Sequence, residues 1–338
     1  MVVVGSLLLA TSALAEDLGD RFAVHGFGYQ DYLQAGKNSY LGADGHGSWD
    51  SNFLGLVLTA TVNERSEVWA QLEGTTDEGT RFTWFFVDYQ LSENLRAHVG
   101  RVKMPLGFYN ETIDAKFLQV SQLEPSLYQT AADIVHDAYH GAGIDYEWDL
   151  GNGHLFWQIY GGNVYDVDPP EDTRDRRVIG GRATYRTPVA GLRLMLSTYR
   201  TQVETLADGT FSNEDRVIGS VEYLCARCDL KAEYATHDFL GVASHAWYLQ
   251  ARYSIDDKWS PYVRYDEAVL DNDLSDDPSY YQKTIVVGVQ YRVADSLTLR
   301  IENHFNHGYG LPVSSGEVAA GEGALNWTLA VAGINFSF

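Results

Sequence analysis

The residues of this 338-residue chain that could do chemistry fall into two kinds. A few sit in short motifs. Cys225 and Cys228 form a C-x-x-C, which in a redox protein follows a strand and opens a helix. Here it falls at a tight turn between two alternating runs, so a local disulfide or two free thiols fit it better than catalysis. His136 with His140, and His304 with His307, have the spacing of metal-ligand pairs, but no third ligand is evident for either. No Ser-His-Asp grouping offers a nucleophile with a base in reach. We therefore expect no catalytic residue, no cofactor, no metal and no enzymatic activity. The second kind is far more numerous: charges that alternate with apolar residues, as in LKAEYA at 230–235 or LRIE at 299–302. In an extended segment every second side chain shares a face, so the charges face water and the Leu and Ile face something apolar. The chemistry this allows is the lining of an aqueous, charged channel.

The elements that must carry these residues are strands. Leu54, Leu56, Leu58, Ala60 and Val62 share one face, the turn NERS follows, and Val68, Ala70 and Leu72 resume. The unit recurs around SENL (81–91 and 95–104), GNG (140–149 and 154–164) and PVAG (177–187 and 192–202). It continues around ARC (216–225 and 229–237), DDK (242–255 and 259–267) and ADS (281–293 and 296–306). A first strand near 21–33 and a last near 325–338 complete about 16, the even number of a single-chain bacterial barrel. The last strand, NWTLAVAGINFSF, puts Ala330, Ala332, Ile334, Phe336 and Phe338 on one face, which is how outer-membrane barrels end. In hydrocarbon every backbone N–H and C=O must be paired within the protein, so strands cross a membrane only as a closed barrel. Residues 1–15, MVVVGSLLLATSALA, read as a signal peptide with a small-x-small cleavage site, leaving residues 16–338 as one outer-membrane barrel. No Lys or Arg precedes the apolar run, which leaves an internal start at Met1 open.

A charge on the lipid face near the midplane costs about 2–4 kcal/mol, so charges mark the lumen side of each strand. Ile285, Val287, Val289, Tyr291 and Val293 face out, and Thr284, Val286, Gly288, Gln290 and Arg292 face in. By the same rule Arg300 and Glu302 face in, as do Lys231 and Glu233. The expected lumen mixes Arg182, Arg186, Arg252, Arg264, Arg292 and Arg300 with Asp88, Asp145, Glu147, Glu222 and Asp266. That is a crossed-charge channel rather than a packed core, and about 16 strands leave room for water.

Residues 104–138 form the longest early stretch without strand alternation, and they follow the fifth strand, on the side where long extracellular loops belong. Loops of this length are usually functional. Phe117, Leu118, Val120, Leu123, Leu127, Ile134 and Val135 predict that it folds against the barrel, inward as a constriction, or else outside as a lid or a subunit contact. Its charges, together with the strand end before it, are the constriction candidates: Arg101, Lys103, Glu111, Asp114, Lys116, Glu124 and Asp133.

The run GRVKMPLGFYNE at 100–111, followed by YHGAGIDYEW at 139–148 and preceded by HGFGYQDYLQ at 25–34, resembles the phosphate-selective porin O and P family and uncharacterised porins related to it. The resemblance implies a 16-stranded homotrimeric porin with its third loop folded inward. The chain departs from the family at the residues of phosphate selectivity, because the loop offers Lys116 alone beside Glu111, Asp114, Glu124 and Asp133.

Composition agrees with a barrel. Aromatic residues make up 13%, with 22 Tyr, and such rings collect at membrane interfaces. A mean hydropathy of -0.23 is too polar for a helical membrane protein. The net charge of -22 excludes nucleic-acid binding, which needs Lys and Arg for phosphates. The expected function is passive diffusion of small hydrophilic or ionic solutes across the outer membrane of a Gram-negative bacterium, with weak selectivity leaning to cations. The alternatives are an anion- or phosphate-selective porin, an outer-membrane enzyme, or a structural barrel with a blocked lumen. Expected partners are the solutes, outer-membrane lipid and two further copies of the chain.

Overall fold

In a computed structural model the described residues are 16–17, 21–76, 79–129, 138–165, 173–311 and 323–338. Residues 1–15, expected above to be a signal peptide, lie outside them, as do Asp166, Asp168, Glu171 and Asp172. A two-residue strand, β1 (Glu16–Asp17), pairs with the start of β2 (Phe22–Ala35). From β2 onward each strand pairs antiparallel with the next: β3 (Asn52–Asn63), β4 (Ser66–Thr75), β5 (Gly79–Ser92), β6 (Leu95–Lys103), β7 (Ala138–Leu150) and β8 (Gly153–Tyr165). There follow β9 (Thr173–Arg186), β10 (Leu192–Thr205), β11 (Thr210–Leu224), β12 (Cys228–Phe239) and β13 (Val242–Tyr253). Then come β14 (Trp259–Val269), β15 (Tyr281–Ala294), β16 (Leu297–Gly308) and β17 (Asn326–Ser337). β17 returns to β2, and the sixteen strands β2 to β17 close into a barrel.

The expected alternation is the one the side chains take. Leu299 and Ile301 are exposed while Arg300 and Glu302 are buried, and Leu230 and Tyr234 are exposed while Glu233 is buried. Several hairpins run further outward than their apolar stretch. β11 begins at Thr210, not near 216, and β9 at Thr173, not 177. Above the apolar band water replaces lipid, so exposed polar residues such as Thr210 and Asn213 extend the ladder at no desolvation cost, and the hydrophobic signal ends before the strand does.

The closing seam depends on two small residues. Ser337 lies opposite Phe27 and Leu329 opposite Ala35. Beyond β17, Phe338 exchanges both backbone hydrogen bonds with Gly26, each 2.7 Å. A Cβ on Gly26 would lie 2.2 Å from the Phe338 ring, and one on Gly28 2.7 Å from the Phe336 ring. The two glycines therefore form the seat on which the stacked terminal aromatics lie, 6.5 Å apart. Deleting Phe338 removes two ladder bonds where hydrocarbon supplies no substitute. The deletion is expected to lower the yield of heat-modifiable barrel in outer membranes, as read by gel shift; a normal yield would show that the seam does not need it.

Candidate functional site

Between β6 and β7 the chain enters the lumen. Residues 104–129 make three short 3-10 turns, at Asn110–Thr112, Lys116–Leu118 and Ser126–Tyr128. This inward course is one of the alternatives the sequence left open. Short turns leave most backbone groups of the loop without local partners, and buried groups of this kind must be satisfied. The barrel wall supplies the partners. Arg300 donates to the carbonyls of Lys116 and Gln119, and Glu302 accepts from the N–H groups of Gln122 and Leu123 at 3.0 and 3.2 Å. Arg264 donates to Ser121 Oγ and to the carbonyls of Leu123 (2.8 Å) and Glu124 (3.0 Å), while its own Nε is held by Asp266.

On β12 a single buried carboxylate holds the loop's first turn. Glu233 accepts from Phe108 N–H at 2.9 Å, Tyr128 O–H at 2.7 Å and Tyr248 O–H at 2.8 Å, and also from Ser220. Burial first, then the Glu233 charge, pushes the Tyr128 phenol well above its ordinary value, so it stays a donor. Gly107 lets the chain pass this close: its φ is +52°, and a Cβ there would meet Tyr128 Oη at 1.9 Å and Glu233 Oε1 at 2.7 Å.

The sequence-selected charges take the following places. Lys103 Nζ lies 2.6 Å from Asp114 Oδ2, which also accepts from Gln71 at 3.0 Å. Glu111 is paired with Arg182, and Lys116 with Asp31 at 2.9 Å, its ammonium 3.8 Å from the centre of the Tyr29 ring. Glu124 accepts from Gln129 at 2.9 Å. Arg101 is buried and stands opposite Phe85 and His140 in register. Gly100 beside it, at φ +149°, lets β6 follow this course. Asp133 lies outside the described residues, as does His136.

In the lumen Asp88 is held by Arg96 at 2.6 Å, Asp145 lies 3.7 Å from His98, and Glu147 3.7 Å from His154. Glu222 meets Arg193 at 2.8 Å and Arg252 meets Asp229 at 3.0 Å. Arg186 and Arg292 are exposed near the short turns. Arg264 and Arg300 do not line water: they are 1% exposed beneath the loop. The expectation of a channel without a packed core is corrected here, because the loop packs against the β10 to β17 side. Met104, Leu106 and Leu127 pack there with Tyr199, Ile218 and Ala246, and Val120 packs with Tyr262 and Val286. Cys225 and Cys228 flank the β11–β12 turn with Cα atoms 4.9 Å apart. His304 is bonded to Glu302 inside, while His307 bonds Asn326, so alternation sends this pair to opposite faces.

The open space lies on the other side of the loop. A cavity of about 450 Å³ runs between the loop residues Glu111, Asp114, Ala115 and Phe117 and the wall formed by β2 to β8. Its wall is aromatic: Phe27, Trp69, Trp84 and Phe86 on β2, β4 and β5, and Tyr139, Phe156 and Tyr160 on β7 and β8. Charge-marking alone missed these rings. The signal was present, because the parity that sends Val68 and Ala70 to lipid puts Trp69 and Gln71 inside.

No family model and no curated protein matches the chain. Solved structures do match in fold. An OmpF of Salmonella typhi is 12% identical over 94% of this chain and 97% of its own, with a TM-score of 0.66. An anion-selective porin from Comamonas acidovorans is 14% identical over 94% and 99%, with a TM-score of 0.63. The trimer form of OmpT, an outer membrane protein of Vibrio cholerae, is 12% identical over 94% and 99%, with a TM-score of 0.61. Closed, sixteen-stranded and apolar outside, the chain is a porin-like barrel of the Gram-negative outer membrane.

Glu233→Ala removes the acceptor of the Tyr128, Tyr248 and Ser220 hydroxyls at about 1–3 kcal/mol per donor and leaves Phe108 N–H with Tyr128 Oη alone. The variant is expected to expose bonds within residues 105–129 to protease while the barrel itself remains heat-modifiable. An equally protected loop would mean that Glu233 is not its anchor.

Proposed function

We propose that the chain is a passive outer-membrane porin for small hydrophilic or ionic solutes, assembled as a homotrimer and leaning weakly to cations. The observation that carries this reading is the chamber beside the loop, where Glu67, Asp88, Glu111, Asp114, Asp145 and Glu147 face only Arg96 and Lys103, with Arg182 behind Glu111. In a narrow passage with low-dielectric walls such an excess raises the local concentration of cations. The alternative of an anion- or phosphate-selective pore finds less support, since Lys103 and Lys116 are each engaged by a carboxylate. The trimer is drawn from the V. cholerae barrel solved as one and from the family resemblance. A cleaved leader at residues 1–15 and a Cys225–Cys228 disulfide belong to the same reading, that of a secreted protein folded in an oxidising compartment.

Purified protein in planar bilayers is expected to give stepwise conductance in groups of three. Folded protein that conducts nothing would leave a structural barrel with a blocked lumen as the reading. In a KCl gradient the reversal potential is expected to show modest cation preference that shrinks as salt rises, because Asp271, Asp273, Asp276 and Asp277 at the mouth are screened within about 8–10 Å. Anion preference would overturn the charge argument.

A further inference from the structure

The inner faces of β4 and β5 carry a pattern that bulk diffusion does not call for. In register, Glu67 stands opposite Asp88, Trp69 opposite Phe86, and Gln71 opposite Trp84. All six line the cavity. Two carboxylates directly across an antiparallel pair repel one another. Of the two cations that line the cavity, Arg96 is bonded to Asp88 and Lys103 to Asp114. Glu67 makes no ion pair among the described residues and is partly exposed to the cavity. One two-residue step up the strands, about 7 Å, Trp69 and Phe86 are also partly exposed, and Phe117 of the loop faces the same space. Aromatic surface left facing water costs about 25 cal/mol per Å², so a wall built only to pass ions gains nothing from these rings.

We infer that this chamber, in the porin reading above, binds amphipathic organic cations: a flat ring joined to an ammonium by a short alkyl spacer. The ring lies against Trp69 and Phe86, and the ammonium reaches Glu67. The separation of the two features along the strands is about the length of an arylethylamine. A ring of this kind gains apolar contact and stacking, and its cation meets both a carboxylate and the π-faces of the wall. The volume of about 450 Å³ falls within the range of small-molecule sites. An aryl carboxylate of the same size would bring a third negative charge beside Glu67 and Asp88, and an alkyl ammonium without a ring would leave the aromatic wall wet.

The test uses three probes on the full-length folded protein: phenethylammonium, butylammonium and 3-phenylpropionate. Binding is read by tryptophan fluorescence in detergent and, separately, by block of the KCl current in planar bilayers. Phenethylammonium is expected to bind about tenfold more tightly than either other probe, with Glu67→Gln and Trp69→Ala each removing most of that margin. Asp257→Asn, exposed in the turn between β13 and β14, is the control, with binding unchanged. Heat-modifiability establishes that each variant is folded. Equal responses to the three probes, or a margin that survives both variants, would overturn the site. The two readouts separate the claims: selective fluorescence change without conductance keeps the site and removes the porin, whereas conductance with indiscriminate block keeps the porin and removes the site.

Discussion

The lumen of this barrel is organised by the need of one loop to satisfy its backbone. A segment that leaves the membrane surface and turns into the interior takes its N–H and C=O groups with it, and three short turns leave many of them unpaired. The wall answers with ionised side chains, which make stronger hydrogen bonds than neutral ones. Arg264 and Arg300 serve carbonyls, and Glu233 and Glu302 serve N–H groups and hydroxyls. These residues are buried by the loop they hold, and each is compensated by it. A charge that looks like a pore charge in the sequence is here a structural one.

The same requirement divides the interior in two. Toward β10 to β17 the loop lies against the wall, and its apolar residues pack with Ile218, Ala246 and Tyr262. Toward β2 to β8 the loop presents Glu111, Asp114 and Phe117 to a wall of rings and carboxylates, and the cavity is there. The Asp114 bridge to Lys103 ties the loop to β6 of that second wall, and the Glu111 bridge ties it to Arg182 on β9.

Much of this was legible in the residues. The period of two located every strand of the closed barrel, and the cost of a lipid-facing charge assigned Glu233, Arg300 and Glu302 to the correct side. What a one-strand rule lacks is the partner. It shows that Arg264 faces in, but not that the carbonyls of Leu123 and Glu124 cover it, because that contact joins residues about 140 apart. Likewise the sequence position of Arg101 does not show that the register of β6 sets it opposite Phe85 and His140. The aromatic wall was visible by parity yet went unread, since a search for charges passes over Trp69 and Phe86.

Selectivity in such a lumen follows from which charges lack a local partner, not from how many there are. Lys103, Lys116, Glu111 and Asp114 all belong to short ion pairs, so from a distance each pair acts as a dipole whose field falls off quickly. The charges whose field survives are those the geometry leaves over, and on the cavity side Glu67 is one, placed across from an Asp88 that has already taken Arg96. On the proposed porin reading the paired loop charges contribute mainly shape, and the field left over at the cavity is that of the β4 and β5 wall, next to the rings.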